Sequence, residues 1–496
     1  MSIALLVLVV MLASSLLVHA SQVDEHGVEP LHSLFTLLYG AASFSLIFSV
    51  SSSRLGIGTA LAATIAVAVL LRLAAFAWLL DGHPPTSGDA LAYLTMAREL
   101  AATGRLEIFD SSFNQVLKAF YPPLYILLLA VVERAGSLTQ WTALVLNIST
   151  DVVIIVLLSS LGRAWSERRA GSIAAMLFAV WPSVILSCAS PQKESLVALI
   201  ALSLVALLVR VARARRASWG AAVGLGGTWA ALALAQPSLA LLPIALVPLA
   251  RRWRLRDAAD LALRSALVAS VAMSGWWIRN YVELGRFVPL TSASGWTLWV
   301  GNNPAATGRW MAPTPDFRGL SELEVSSLGK TKALAWIKAH PVDFVRITAA
   351  KAARALGGDT FALLRAKFDA PENMRFVAAL SFGMQTAYIA ILTMAALAAR
   401  RTLLASGAAG HGVPLATFVF AAAAVQLLLF NVWFEFHERH RYVLHPLLCL
   451  YVGVLVAALA RSDVEKRALP GNAGRVLGGL LGPSNRRSVE ARPQRG

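Results

Sequence analysis

Apolar runs close to the thickness of a lipid bilayer recur along almost the whole chain. A hydrocarbon core about 30 Å thick takes roughly 20 apolar residues of helix to cross. Only helices and closed barrels satisfy the backbone inside it, and uninterrupted text such as LVALIALSLVALLV at 196–209 argues for helix. Candidate spans fall at 3–19, 32–50, 57–80, 122–135, 141–160, 172–190, 195–211, 219–235, 238–250, 262–279, 376–397, 413–433 and 443–460. That is about thirteen segments under the apolar-length rule. Of the 496 residues, 57% are hydrophobic and 14% charged, and mean hydropathy is +0.64. A soluble chain carries about a quarter charged residues. The fold expected is an all-α polytopic membrane protein. The first run lacks a basic n-region and is followed by many spans, so it reads as an uncleaved helix.

The net charge of +17 comes mostly from arginine. In a soluble protein it would suggest nucleic acid. Here the basic residues lie between apolar runs, as Arg163, Arg168 and Arg169, the stretch 210–216, the stretch 251–256, and Arg400-Arg401. This is the positive-inside pattern and marks those loops as cytoplasmic, meeting anionic headgroups. No nucleic-acid partner is expected. Cys188 and Cys449 both sit in apolar runs and imply neither a disulfide framework nor a metal site.

With Arg54 inside, loop 81–121 lies outside. Parity then requires one short segment not to span: 122–135, which opens with Pro122-Pro123, or 238–250, which holds Pro243 and Pro248. Both chain ends then face the cytoplasm. The organisation reads as N-terminal helices (1–56), a transmembrane module carrying the outer loop (57–279), an outer segment long enough for a small subdomain (280–375), C-terminal helices (376–460) and a basic disordered tail (461–496).

Ionisable residues gather where chain leaves membrane. Asp89 opens an amphipathic stretch whose apolar side is Leu91, Leu94 and Leu100, as expected of an interfacial helix. Asp89 suits a helix N-terminus as a cap, and it can also meet substrate. Lys118 and Tyr121 precede re-entry into the membrane, as snorkelling and belt residues or as a cation set for a lipid phosphate. Lys193 and Glu194 lie at an outer helix boundary, where ionisable groups are often functional. Arg279 and Asn280 follow an apolar span beside Trp276-Trp277, and an arginine fork there suits phosphate or anchors the helix. The last outer loop crowds Glu435, His437, Glu438, Arg439, His440, Arg441, Tyr442 and His445 together. Its histidines lack a ligand set with metal spacing. Arg441 at a helix start opposes the helix dipole, which hints at an anionic partner.

Taken in order, these features resemble the C-type superfamily of integral membrane glycosyltransferases. The likeness is to the bacterial branch related to protein O-mannosyltransferases and lipid A aminoarabinose transferases. It is carried by Gly88-Asp89-Ala90-Leu91-Ala92-Tyr93 with Tyr121-Pro122-Pro123-Leu124. It continues through Arg279-Asn280-Tyr281, Gly285 to Leu290 and Gly301-Asn302-Asn303-Pro304, then His340-Pro341, and Arg441-Tyr442 with Pro446. It covers roughly residues 57–460. The resemblance implies a C-type bundle in the bacterial inner membrane, with the active site facing the periplasm. The implied partners are a polyprenyl-phosphate-linked sugar donor, membrane lipids, and an acceptor that is protein, glycolipid or cell-envelope polysaccharide. It implies Asp89 as the catalytic carboxylate and Glu194 as a second acid. Lys118, Lys193, Arg279, Arg441 and Tyr442 would hold the donor phosphate and lipid, and Tyr93, Tyr121, Asn280 and His437 would line the substrate loop. Some relatives pair acids in the first loop, whereas Asp89 has no acidic neighbour. A divalent metal is therefore optional.

The competing reading is a transporter or flippase of a lipid-linked saccharide. It predicts ionisable residues at mid-membrane depth and inverted repeats. The sequence shows no clear internal repeat, and its charges cluster at helix ends, with Arg72 the exception. A non-enzymatic scaffold would need no outer carboxylate ringed by cations.

Overall fold

The structure, a computed structural model, describes residues 2–26, 56–79, 88–214, 217–247, 253–307, 313–360, 374–404, 412–430, 432–435 and 438–468, with a few isolated positions besides. His437, Arg54, most of the 32–50 run and the tail beyond 468 lie outside the described residues. In chain order the helices are α1 (Ser2–His26), α2 (Ile57–Leu79), α3 (Gly88–Thr103), α4 (Pro123–Ala135), α5 (Gln140–Trp165), α6 (Arg168–Ala179), α7 (Pro182–Cys188), α8 (Glu194–Ala214) and α9 (Trp219–Ala235). They continue as α10 (Leu242–Ala245), α11 (Leu255–Leu284), α12 (Ser294–Gly301), α13 (Glu322–Ala339), α14 (Pro341–Gly357), α15 (Met374–Leu404), α16 (Gly412–Phe430) and α17 (Leu444–Ala468). The strands among the described residues form one antiparallel hairpin, β1 (Ile108–Asp110) and β2 (Gln115–Leu117).

The protein is an all-α polytopic membrane protein. Among the described residues, α2, α5, α8, α11 and α15 are long and apolar enough to cross a bilayer. The expected span 172–190 is broken: α6 and α7 meet at 58°. The break falls just before Pro182, where helix is disfavoured for the preceding residue. Among the described residues, shorter apolar helices lie at Ala4–His19, Trp219–Ala235, Leu415–Phe430 and Leu444–Ala458. One of the segments 122–135 and 238–250 was expected to fall short, and neither is a full-length helix. The first is the 13-residue α4. The second is a 3-10 turn at Pro237–Leu239 followed by the four-residue α10, because each proline removes a backbone donor.

Small residues let the spans approach. A Cβ on Gly162 of α5 would lie 2.5 Å from Gly171 Cα of α6, and one on Gly453 of α17 would collide with the Ala170 carbonyl. Hydrophobicity does not drive helices together in lipid, so such close van der Waals contact holds them. Around this seam lie buried Ile154, Leu158, Phe178, Trp181 and Leu204.

Internal bonds set helix polarity. Asn147 Nδ2 near the start of α5 donates to the Cys188 and Ser190 carbonyls, just ahead of α8. Helices α5 and α8 therefore start at one end, and Arg163 and Arg213 near their C-termini share the other. Trp253 Nε1 donates to the Ala212 carbonyl, which sets the start of α11 with that basic end. Arg279, near the C-terminus of α11, falls at the opposite end with Asn147 and Glu194.

The end bearing Glu194 is capped by α3, the hairpin and α12–α14. The segment expected at 280–375 does not stand alone. Its apolar cluster of Trp296, Val300, Phe317 and Val325 includes Phe113 and Leu117 from the first loop. Glu322 fastens the two, accepting from Lys118 N (2.5 Å), Ala119 N (2.8 Å) and Ser292 Oγ (2.5 Å). The Gly301-Asn302-Asn303 turn is buried against the last loop. A Cβ on Gly301 would meet Phe434 C at 2.6 Å, and Asn302 Nδ2 donates to the Trp433 carbonyl at 2.6 Å. Within α3, Tyr93, Leu94, Met96 and Ala97 are buried, whereas Leu91, expected on the apolar side, is exposed.

Candidate active site

Asp89 lies in the first turn of α3, where a carboxylate matches the helix dipole. Gly88 ahead of it has φ +71°, which glycine adopts without Cβ strain. The Asp89 carboxylate receives Arg439 Nη1 at 2.5 Å. Arg439 belongs to a 3-10 turn, Glu438–Arg441, in the last loop, so the contact joins segments 350 positions apart. Both side chains keep partial exposure, 26% for Asp89 and 20% for Arg439.

Lys193 and Glu194 close the other side. Together with Arg439, Gln236, His440 and Tyr442 they line one small cleft. Burial pushes the Lys193 ammonium down to about 8, against the pull of Glu194 and Asp89 and with the repulsion of Arg439. Burial also works to lower the Arg439 pKa, but the carboxylates of Asp89, Glu194 and Glu435 outweigh it and hold the guanidinium firmly charged. Tyr93 and Tyr121 stand edge to face 5.8 Å apart. Burial and then the Asp89 charge raise both phenols far above their ordinary range, so both stay neutral. The sequence candidates Asp89, Lys193, Glu194, Tyr93, Tyr121 and Tyr442 thus converge. Tyr442 OH lies 3.5 Å from Ser195 Oγ, one residue into α8 from Glu194.

The other candidates belong elsewhere. Lys118 Nζ pairs with Glu283 at 2.6 Å. Arg279 donates to the Lys118 (2.9 Å) and Leu106 (2.7 Å) carbonyls and lies over the Trp276 ring. Asn280 is buried and donates to the Val288 carbonyl at 3.0 Å. Lys118 and Arg279 tie α11 to the first loop, and Asn280 fastens the turn that follows α11. Arg441 is buried and donates to Asp359 Oδ1 at 2.8 Å and to the Leu356 and Gly358 carbonyls. The anionic partner that its dipole mismatch calls for is thus a carboxylate of the protein itself. Asp359 also receives Trp181 Nε1, Ser183 Oγ and His445 Nε2. Serine, histidine and aspartate meet here without forming a nucleophilic triad. Ser183 and Asp359 both face His445 Nε2, while Nδ1 faces the Tyr442 carbonyl, and a triad needs them on opposite nitrogens.

Three features escaped the sequence reading. Arg439 was legible as a loop residue but not as the partner of Asp89. Lys351 of α14 is fully buried and donates to the Gly301 (3.1 Å) and Phe434 (3.2 Å) carbonyls. Arg72 of α2 is not a lone mid-span charge: it pairs with Asp151 of α5 at 2.7 Å, both side chains at most 1% exposed. Among the described residues no three His, Cys, Asp or Glu side chains form a metal-ligand group.

No protein-family model matches the sequence, and no curated protein matches it. Among solved structures the chain is similar to the apo oligosaccharyltransferase of Archaeoglobus fulgidus, at 13% identity and TM-score 0.50. The overlap covers 88% of this chain and 53% of that one, so this protein spans about half the length of that neighbour. It is also similar to ArnT of Cupriavidus metallidurans bound to undecaprenyl phosphate, at 17% identity and TM-score 0.39, covering 85% and 81%. The first of these overlaps shows a fold shared with that oligosaccharyltransferase.

Proposed function

We propose that the protein is a glycosyltransferase that moves a sugar from a polyprenyl-phosphate-linked donor to an extracytoplasmic acceptor. The observation that carries this reading is the cluster of Asp89, Arg439, Lys193 and Glu194 beside one cleft at one end of the bundle. Glycosyl transfer needs a base for the acceptor and charge stabilisation for the departing phosphate. Asp89 takes the proton of the acceptor nucleophile as it attacks the anomeric carbon. The bond to the donor phosphate breaks, and the electron pair leaves on the phosphate oxygen, which Arg439 and Lys193 neutralise. Glu194 keeps Lys193 and Arg439 charged and aimed. The undecaprenyl phosphate named for the ArnT structure belongs to that protein, and this chain's donor is inferred from its own chemistry. A cluster at headgroup depth reaches a phosphate that is itself anchored in lipid.

The arginines at the far end of the bundle support an outward-facing site under the positive-inside rule. In a bacterium that is the periplasmic face of the inner membrane. The test is mass spectrometry of cell-envelope glycans with wild type and with Asp89→Asn. A glycosylated product that depends on Asp89 supports the reading, and unchanged products overturn it. The flippase reading draws on the Arg72–Asp151 pair, since ionisable groups inside a membrane are a functional sign. That pair is sealed from solvent, and Arg72 also holds the Ala68 and Ala179 carbonyls, which favours a structural role. A flippase would translocate donor without forming any glycosylated product.

A further inference from the structure

The Asp89–Arg439 ion pair presents a chemical conflict. The carboxylate best set to be a base has its charge already satisfied by the guanidinium best set to hold the donor phosphate. A base whose lone pair accepts from an arginine is weakened, and an arginine closed on a carboxylate has less to offer an incoming anion. The surrounding balance sharpens the conflict. Two cations, Lys193 and Arg439, face three carboxylates, Asp89, Glu194 and Glu435. A phosphate cannot enter such a site at low cost unless it takes a cation from one of them.

Building on the glycosyltransferase reading, we propose that Arg439 is exchanged between Asp89 and the donor phosphate, so that donor binding itself unmasks the base. Without donor, the ion pair holds Asp89 inactive. When a phosphate monoester or diester on a prenyl chain reaches the cleft, the guanidinium fork turns to its oxygens, for which planar bidentate geometry is well matched. Asp89 is released toward the acceptor. The geometry permits the exchange, because Arg439 both contacts Asp89 and lines the cleft with Lys193 and Tyr442. Both partners keep partial exposure, unlike Arg441, which holds Asp359 at 2% exposure. The consequence is an order of events: donor first, acceptor activation second. Deprotonation of the acceptor is thereby confined to the loaded site.

The exchange makes a prediction opposite to that of a simple binding site. Removing the carboxylate should improve phosphate binding, because Arg439 no longer has to be released. The experiment titrates the purified full chain with undecaprenyl phosphate by native mass spectrometry. It compares wild type, Asp89→Asn, Arg439→Gln and the double variant, each checked as monodisperse, with inorganic phosphate as a parallel ligand. Close charge pairs couple strongly enough for a shift of about tenfold. Asp89→Asn should bind the lipid about tenfold tighter and Arg439→Gln at least tenfold weaker. In the Arg439→Gln background, Asp89→Asn should change affinity less than twofold. An unchanged or weaker affinity for Asp89→Asn overturns the exchange. So does a gain that persists without Arg439, which would mean only that a negative charge had been removed. Inorganic phosphate bound as tightly as the lipid would overturn the lipid-borne source. Failure of wild type to bind the lipid at all would remove the donor reading as well, so the two failures are distinguishable. If Arg439→Gln does not fold, Arg439→Lys takes its place and should still weaken lipid binding, because it keeps the charge and loses the fork.

Discussion

Asp89 and Arg439 are 350 residues apart in the chain and 2.5 Å apart in the fold. The sequence singled out Asp89 and Glu194 because a carboxylate at the start of a helix beside an apolar run is locally recognisable. The resemblance placed Arg441 on the donor phosphate and gave Arg439 no role, whereas the fold puts Arg439 at the cleft. The two arginines sit two positions apart in a 3-10 turn, about 240° around its axis at three residues per turn. One therefore meets the cleft and the other the buried Asp359. On this basis Asp89→Asn should lower turnover by about 10² to 10⁴, the usual worth of a general base, measured with a polyprenyl-linked donor. Arg441→Gln should act on folding, by reducing yield and thermal stability, because it strands a buried carboxylate. Buried lysines give a second residue-scale signature. Burial lowers Lys351 and Lys193 from 10.5 to about 8. Between those values the unfolded chain holds protons that the folded chain has released, so stability rises with pH from about 8 toward 10.5. Below about 8 both states are protonated and this dependence vanishes. Thermal unfolding in detergent should follow that rise, and Lys351→Met should remove part of it.

Helix α5 illustrates the scale of elements. Its hydrophobic length was plain in the sequence, but Asp151 in the middle of it went unremarked, since a partner on α2 cannot be inferred from spacing. The Arg72 guanidinium also donates to the Ala179 carbonyl at the end of α6, where backbone acceptors lack helical partners. The pair therefore braces the break that lets α7 diverge toward the site. Arg72→Met or Asp151→Leu alone should cost about 3–5 kcal/mol by leaving one buried charge unpaired. The double variant should recover most of that loss, as read from thermal unfolding of the purified protein. Gly171→Leu should destabilise by at least about 1–3 kcal/mol through overpacking against the Ser159 carbonyl.

For the whole molecule, the arrangement divides a basic end from a capped end carrying the cleft. Orientation can be tested directly, since Cys188 and Cys449 are both buried. Arg105→Cys, at an exposed position in the cap, should react with a membrane-impermeant thiol reagent added to spheroplasts. A cysteine replacing exposed Arg256 at the far end should react only after the membrane is opened. The reverse pattern would turn the site inward and remove the outward-facing reading.

Length and apolarity of the helices follow from local composition, because lipid imposes one rule on every residue it touches. The membrane class, the main spans, the helix α3 and the carboxylate in its first turn were all legible for that reason. Breaks and pairings were not. The kink between α6 and α7, the shared core of the first loop and the 280–360 segment, the Arg72–Asp151 brace and the partnering of Asp89 with Arg439 each depend on which distant segments pack together. Long-range contacts of this kind have no signature in local spacing, so only the folded chain decides which charges oppose one another.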